Sequence, residues 1–306
     1  MSLIKKPAEL TAKETIAALI YGQPGVGKTT LACSAPSPVV IDFDGGMGRL
    51  RVIDQRDSVP VQSWDDVFTV LQEIAEAGCY KTVVIDTASK MVDLIITKIC
   101  GNQNPTIQKW GLINTEFKRL LRELRQMNMN VLFIAQRDKE KTGGEDERYI
   151  PQFRASNYKD VVCDLDIVGY MESVIYEGKA CTQITFDPSP HNEGKNAAGF
   201  EPSYIIPKAK DGVPITFMTD RFNEYIQRQR KNAAEKAEML DYIEKRVADV
   251  ELMVGECEDA ESLNAVVDQL KDEKAVGDIR VRLAGVVRNR ATALGLTLNK
   301  KTRRYE

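Results

Sequence analysis

Along the first part of the chain, short unbroken apolar runs alternate with stretches where apolar side chains recur every three or four positions. The runs are "IAALIY" (16–21), "PVVIDFD" (38–44), "KTVVIDTAS" (81–89) and "VLFIAQ" (131–136). Rich in Val and Ile, they read as strands buried on both faces. Between them, "SWDDVFTVLQEIAEAG" (63–78) has Ser63 as N-cap, Asp66 three residues on, an apolar stripe and a terminal glycine. That is the signature of a helix. Further helical segments are expected over 90–100 and 106–127, and "TTLACSA" opens a helix directly after the first strand. The alternation predicts an α/β fold with a mostly parallel central sheet covered on both faces.

From about residue 163 the texture changes. "CDLDIVGYMESVIYEGKACTQITFDP" and "SYIIP" predict short strands in hairpins, an antiparallel extension of the sheet. After Asp220 the pattern is almost wholly helical and contains no proline. Two units follow: a core over 1–220 and a helical C-terminal region over 221–306 with a basic tail. Acidic residues dominate from Asp241 to Asp278. From Ile279 onward come Arg280, Arg282, Arg288, Arg290, Lys300, Lys301, Arg303 and Arg304 against Glu306.

Composition narrows the function classes. The chain has 306 residues, 43% apolar and 28% charged, with a net charge of −3. This is an ordinary globular balance, and any nucleic-acid contact must come from local patches. Six cysteines are scattered without a C-x-x-C pair, which argues against zinc ribbons and thioredoxin-like chemistry; they read as small buried hydrophobes. The single histidine, His191, disfavours a histidine metal site or triad. With no apolar leader and no apolar run near 18 residues, the expectation is a cytoplasmic protein with no membrane partner.

The chemistry begins in "LIYGQPGVGKTT". Gly22, Gln23, Pro24, Gly25, Val26, Gly27, Lys28 and Thr29, with Thr30 behind them, fit G-x-x-x-x-G-K-[ST] between an apolar strand and a helix. The glycines let successive amides converge on phosphate, Lys28 reaches the β- and γ-phosphates, and Thr29 offers a hydroxyl to Mg²⁺. The cofactors implied are ATP and Mg²⁺. The metal needs a second carboxylate, and Asp86 at the end of "TVVID" supplies one; its alternative role is a helix N-cap. Asp42 and Asp44 stand at another strand end, where one could polarise water and one could hold the turn before Gly45 and Gly46. Gln136 closes the last apolar run, either as a γ-phosphate sensor or as a plain polar strand end.

The order of these parts resembles the RecA/RadA core and, more closely, the phage-encoded RecA-like ATPases of the Sak-type single-strand annealing group, over about residues 14–220. The resemblance implies a RecA-like P-loop fold and ATP hydrolysis. It implies a homo-oligomer with nucleotide at the subunit interface, and action on single-stranded DNA in the host-cell cytoplasm. It gives Asp44 the role of catalytic carboxylate, usually glutamate in the family, and makes Gln136 the coupling residue. "EGKNAAGF" resembles the element whose lysine reaches a neighbouring subunit's nucleotide, so Lys195 is either that lysine or a solvated hairpin residue.

The resemblance also places the DNA-binding loop at 137 to about 160. Its first half, "RDKEKTGGEDER", mixes signs and is expected to be mobile. Its second half interleaves Arg148, Arg154 and Lys159 with Tyr149, Phe153 and Tyr158. These either track phosphates and stack bases or pin the loop to the core. The tail "LNKKTRRYE" is expected to be disordered, and "IRVRLAGVVRNR" to form a helix with arginines toward phosphate or solvent. The C-terminal helices are candidates to dock a single-strand-binding or replication protein. Two other functions compete: a non-catalytic ATP switch or helicase-loader-like ATPase, and a small-molecule P-loop kinase, for which no arginine-rich lid is evident. No N-K-x-D motif supports a GTPase.

Overall fold

The apolar runs become the middle of one ten-stranded sheet in a computed structural model, which describes residues 14–141, 147–153, 165–274 and 276–306. In chain order the core elements are β1 (Ala17–Gly22), α1 (Lys28–Ala32), β2 (Pro38–Asp42), β3 (Ser58–Pro60), α2 (Asp66–Ala77), β4 (Thr82–Asp86), α3 (Ala88–Cys100), α4 (Ile107–Gln126) and β5 (Asn130–Lys141). Then come β6 (Glu147–Pro151), β7 (Ile167–Tyr176), β8 (Lys179–Thr185), β9 (Lys195–Asn196) and β10 (Ser203–Ile205). The strand order is β10-β8-β7-β1-β5-β4-β2-β3, with β6 on β5 and β9 on β7. Pairs from β7 through β1, β5, β4 and β2 to β3 are parallel. Those involving β6, β8, β9 and β10 are antiparallel. This is the expected class: a mostly parallel sheet with an antiparallel extension, followed by helices.

Alternation along the strands divides the core. Leu19, Tyr21, Ile41, Val83, Ile85 and Phe133 face α2, α3 and α4. Ala18, Ile20, Val40, Val84, Leu132 and Ile134 face α1 and the start of α5 (Phe217–Gly255). Both sets are buried because helices cover both faces, so the strands read as continuous apolar runs. The parallel strands end together: Gly22 lies opposite Gln136, and Asp42 opposite Asp86.

By its contacts the chain divides into two units between Gln227 and Arg228, inside α5. No glycine or proline interrupts that helix before Gly255, and its first turns bury Phe217, Met218, Phe222 and Tyr225 against one face of the sheet. The C-terminal unit adds α6 (Ala260–Gln269), α7 (Ile279–Ala293), and the strands β11 (Leu298–Asn299) and β12 (Arg304–Tyr305). Its core holds Ile243, Val250, Leu263, Ile279, Leu283 and Val287.

Several local expectations change. Ser63 does not cap α2; the N-cap position is Asp65, and the Ser63 hydroxyl accepts from the Asp65 amide at 3.3 Å. The start of the 137–160 loop is an antiparallel ribbon of β5 and β6, because Lys139 and Glu147, and Glu140 and Arg148, pair across it. The basic tail is a hairpin. Asn264 holds it, donating to the Tyr305 carbonyl at 2.8 Å and accepting from the Tyr305 amide at 2.9 Å. Of the cysteines, Cys33, Cys100 and Cys257 are buried but Cys79 is exposed; Cys163 lies outside the described residues. Among the described residues no helix is long and apolar enough to cross a membrane.

Candidate functional site

The phosphate loop connects β1 to α1. Gly22 is fixed by close approach: a Cβ there would stand 2.3 Å from the Met171 carbonyl oxygen of β7. Gly27, the N-cap of α1, has φ 99°, a left-handed conformation costly for other residues. Lys28 follows with its side chain turned inward. Its Nζ donates to the carbonyls of Gly22 (3.0 Å) and Gln23 (2.8 Å) and to Oε1 of Gln136 (3.1 Å). Burial lowers the Lys28 pKa to about 8, and the nearby charges of Asp86 and Asp44 oppose that shift. A polyanion arriving in this loop meets a cation held in place by neutral carbonyls, with no carboxylate to displace.

Thr29 Oγ1 donates to Oδ2 of Asp86 at 2.8 Å. Asp86 is only 2% exposed. Burial raises its pKa to about 6; the Thr29 hydrogen bond pulls it down, and Asp44 and Asp42 push it up. A half-buried hydroxyl and a buried carboxylate in contact are hard oxygen donors. Among the described residues no group of three or more acidic, histidine or cysteine side chains is arranged to hold a metal ion by itself. This sparse set fits Mg²⁺, which completes its shell with water and phosphate oxygens rather than with an all-protein cage.

The two aspartates at the end of β2 are held differently. Asp42 is buried, and its carboxylate accepts from the amides of Asp44 (3.2 Å), Gly46 (3.1 Å) and Met47 (3.0 Å). It is the structural one. Asp44 lines the cleft and lies 3.4 Å from Arg49. Its pKa is raised, first by burial and then by the charge of Asp42. The cleft, of about 400 Å³, brings together Gly25, Lys28, Thr29, Asp44, Asp86 and Gln136. They lie at or just past the C-terminal ends of β1, β2 and β4, beside Gln136, the last residue of β5 paired in parallel with β1, where ligands of open α/β sheets bind.

Sequence reasoning missed two features. Arg49 lines the cleft with a largely exposed side chain; its signal was an arginine five residues beyond Asp44, after a two-glycine turn. A second hollow of about 340 Å³ shares Gly27 and Thr30 with the cleft, walled by Val26, Met171, Ile206 and Ile215 with Arg51 and Lys208. Its walls come from segments far apart in sequence, which left no local motif.

The remaining candidates lie elsewhere. Lys195 sits on β9 opposite Val168 and does not line the cleft of its own chain. Arg148 pairs with Glu140 (2.9 Å) and Glu193 (2.8 Å). Tyr149 stacks on Tyr170 (centroids 5.4 Å apart) under the guanidinium of Arg137 at 4.2 Å. Phe153 packs edge-on to Phe117. Tyr149 and Phe153 pack on core rings, while Arg148 is held between two carboxylates. Arg154, Tyr158 and Lys159 lie outside the described residues.

A family model described as an AAA domain, AAA_24, matches residues 14–198. No curated protein matches the chain. Among solved structures, a KaiC-like protein from the hyperthermophilic archaeon Pyrococcus horikoshii OT3 is similar at 12% identity. The match covers 56% of this chain and 77% of that one, with a TM-score of 0.35.

Proposed function

The chain belongs to the AAA_24 family of AAA domains, and we propose that it is a magnesium-dependent ATPase that, by the RecA-like order of its parts, acts on single-stranded DNA in annealing or recombination of the phage Sak type. The observation that carries the catalytic part is one cleft: Lys28 bridges the loop carbonyls to Gln136 while Thr29 bonds Asp86. The triphosphate lies along the loop amides, with the nucleoside in the adjoining hollow. Lys28 exchanges its carbonyl partners for the β- and γ-phosphate oxygens. Thr29 and Asp86 would hold Mg²⁺, which neutralises charge on the leaving diphosphate. Asp44 orients water for in-line attack on the γ-phosphorus and takes its proton as ADP departs; a raised pKa suits that exchange. Gln136 loses its Lys28 contact when phosphate arrives, and the ribbon begins at the next residue. That adjacency and the RecA-like order of parts support coupling to DNA, in an oligomer where Lys195 reaches a neighbour's nucleotide.

The test is ATP turnover with and without single-stranded DNA. Wild type is expected to be accelerated by DNA. Lys28→Ala and Asp44→Asn should each lose at least a hundredfold, the scale of one removed charge clamp or general base. Unchanged turnover in Lys28→Ala would overturn the catalytic reading. A non-catalytic ATP switch is the second reading, favoured by the short Asp44 side chain facing Arg49; turnover that is slow and indifferent to DNA would select it.

A further inference from the structure

The C-terminal unit carries a groove that the ATPase reading leaves unused. It is about 590 Å³, between the end of α6, one face of α7 and the β11–β12 hairpin. Leu283 and Val287 form its floor, with Val267, Leu270 and Leu298 along the sides. Arg280, Ala284 and Arg288 follow at four-residue spacing on α7, one face of the helix, and the small Ala284 leaves the floor open between two arginines.

The rim is basic and largely unspent. Glu273 is the one acidic residue in the lining, and Arg246 already neutralises it at 3.0 Å. Arg280 donates to the main-chain carbonyl of Glu273 (2.8 and 3.2 Å), which fixes its fork without cancelling its charge. Among the described residues Arg288, Lys300 and Arg303 have no carboxylate partner within 4 Å. Aliphatic floor and cationic rim together define the complement: carboxylates flanking a bulky apolar side chain. A nucleic acid strand would need rings for its bases, and the lining has one, Tyr305.

We propose that this groove binds a short acidic peptide segment of a partner protein, seating an apolar side chain on Leu283 and Val287 while Arg288, Lys300 and Arg303 meet its carboxylates. Such a site tethers the ATPase to a partner through a surface separate from the nucleotide cleft.

The test is fluorescence anisotropy on the full chain with a panel of labelled octapeptides: glutamate alternating with leucine or phenylalanine, all-glutamate, and serine with leucine. The mixed acidic–apolar peptides are expected to bind at least tenfold tighter than either control, and to weaken several-fold between 50 and 300 mM salt. Arg288→Glu and Arg303→Glu, exposed changes on two different elements, should each weaken binding at least tenfold. Ala284→Phe, which fills the groove and leaves its charge intact, should do the same. Loss in the arginine variants but not in Ala284→Phe would reduce the site to a charged surface and overturn the groove. Equal binding of all three peptides would overturn it as well. So would displacement of the peptide by oligo(dT) with the same arginine dependence, which would assign the surface to nucleic acid.

Discussion

Asp42 and Asp44 are two residues apart at the end of one apolar run, yet one builds the turn and the other faces the cleft. The division has a measurable consequence. Asp42→Ala strands three amide donors and should cost about 2 kcal/mol of stability, with turnover falling because Asp44 is no longer held. Asp44→Ala removes no buried hydrogen bond acceptor of that kind; its urea midpoint should stay near wild type while turnover collapses. The reverse pattern would exchange their roles. The sequence placed both carboxylates at the sheet edge but could not separate them, since each fits a turn before two glycines. The difference lies in amide directions set by the turn itself. Lys28, Thr29 and Asp86 were legible because their geometry follows from a local motif plus one buried strand end. Arg49 was not, because its one signal, an exposed arginine five residues beyond Asp44, is weak on its own.

At the scale of elements, strands buried on both faces and amphipathic helices announced themselves through period, and β1, β2, β4, β5, α3 and α4 lie where it placed them. The β5–β6 ribbon and the terminal hairpin did not. The β5–β6 ribbon reads as a mixed-charge loop until its register sets Glu140 opposite Arg148. The tail reads as a charged end until Asn264 fixes Tyr305. The ribbon gives a sharp prediction. The Tyr149 ring is sandwiched between Arg137 and Tyr170, so Tyr149→Ala should destabilise the protein by about 2 kcal/mol in urea unfolding. A variant of wild-type stability that has lost DNA binding would instead make Tyr149 a contact to bases.

At the scale of the whole molecule, the sheet core and the helical core are separate sets of side chains. The phosphate loop, Asp44, Asp86 and Gln136 all belong to the unit ending at Gln227, and so does the hollow beside them. A ligand stabilises only the structure it must find folded, by about 2.7 kcal/mol at a hundredfold excess over its dissociation constant. Hydrogen exchange with and without Mg²⁺–ATP should therefore show slowed amides in the phosphate loop, β2, β4 and the root of β5. Amides of α6, α7 and the terminal hairpin should exchange at unchanged rates. Protection spreading equally into those C-terminal elements would mean that nucleotide binding is read by both cores together. The acidic-peptide groove would then sense the ATP state, and peptide affinity would change with bound nucleotide. Confinement to the first unit predicts equal peptide affinity in the two conditions, so one exchange experiment and one titration decide whether the groove is a passive tether or part of the ATP cycle.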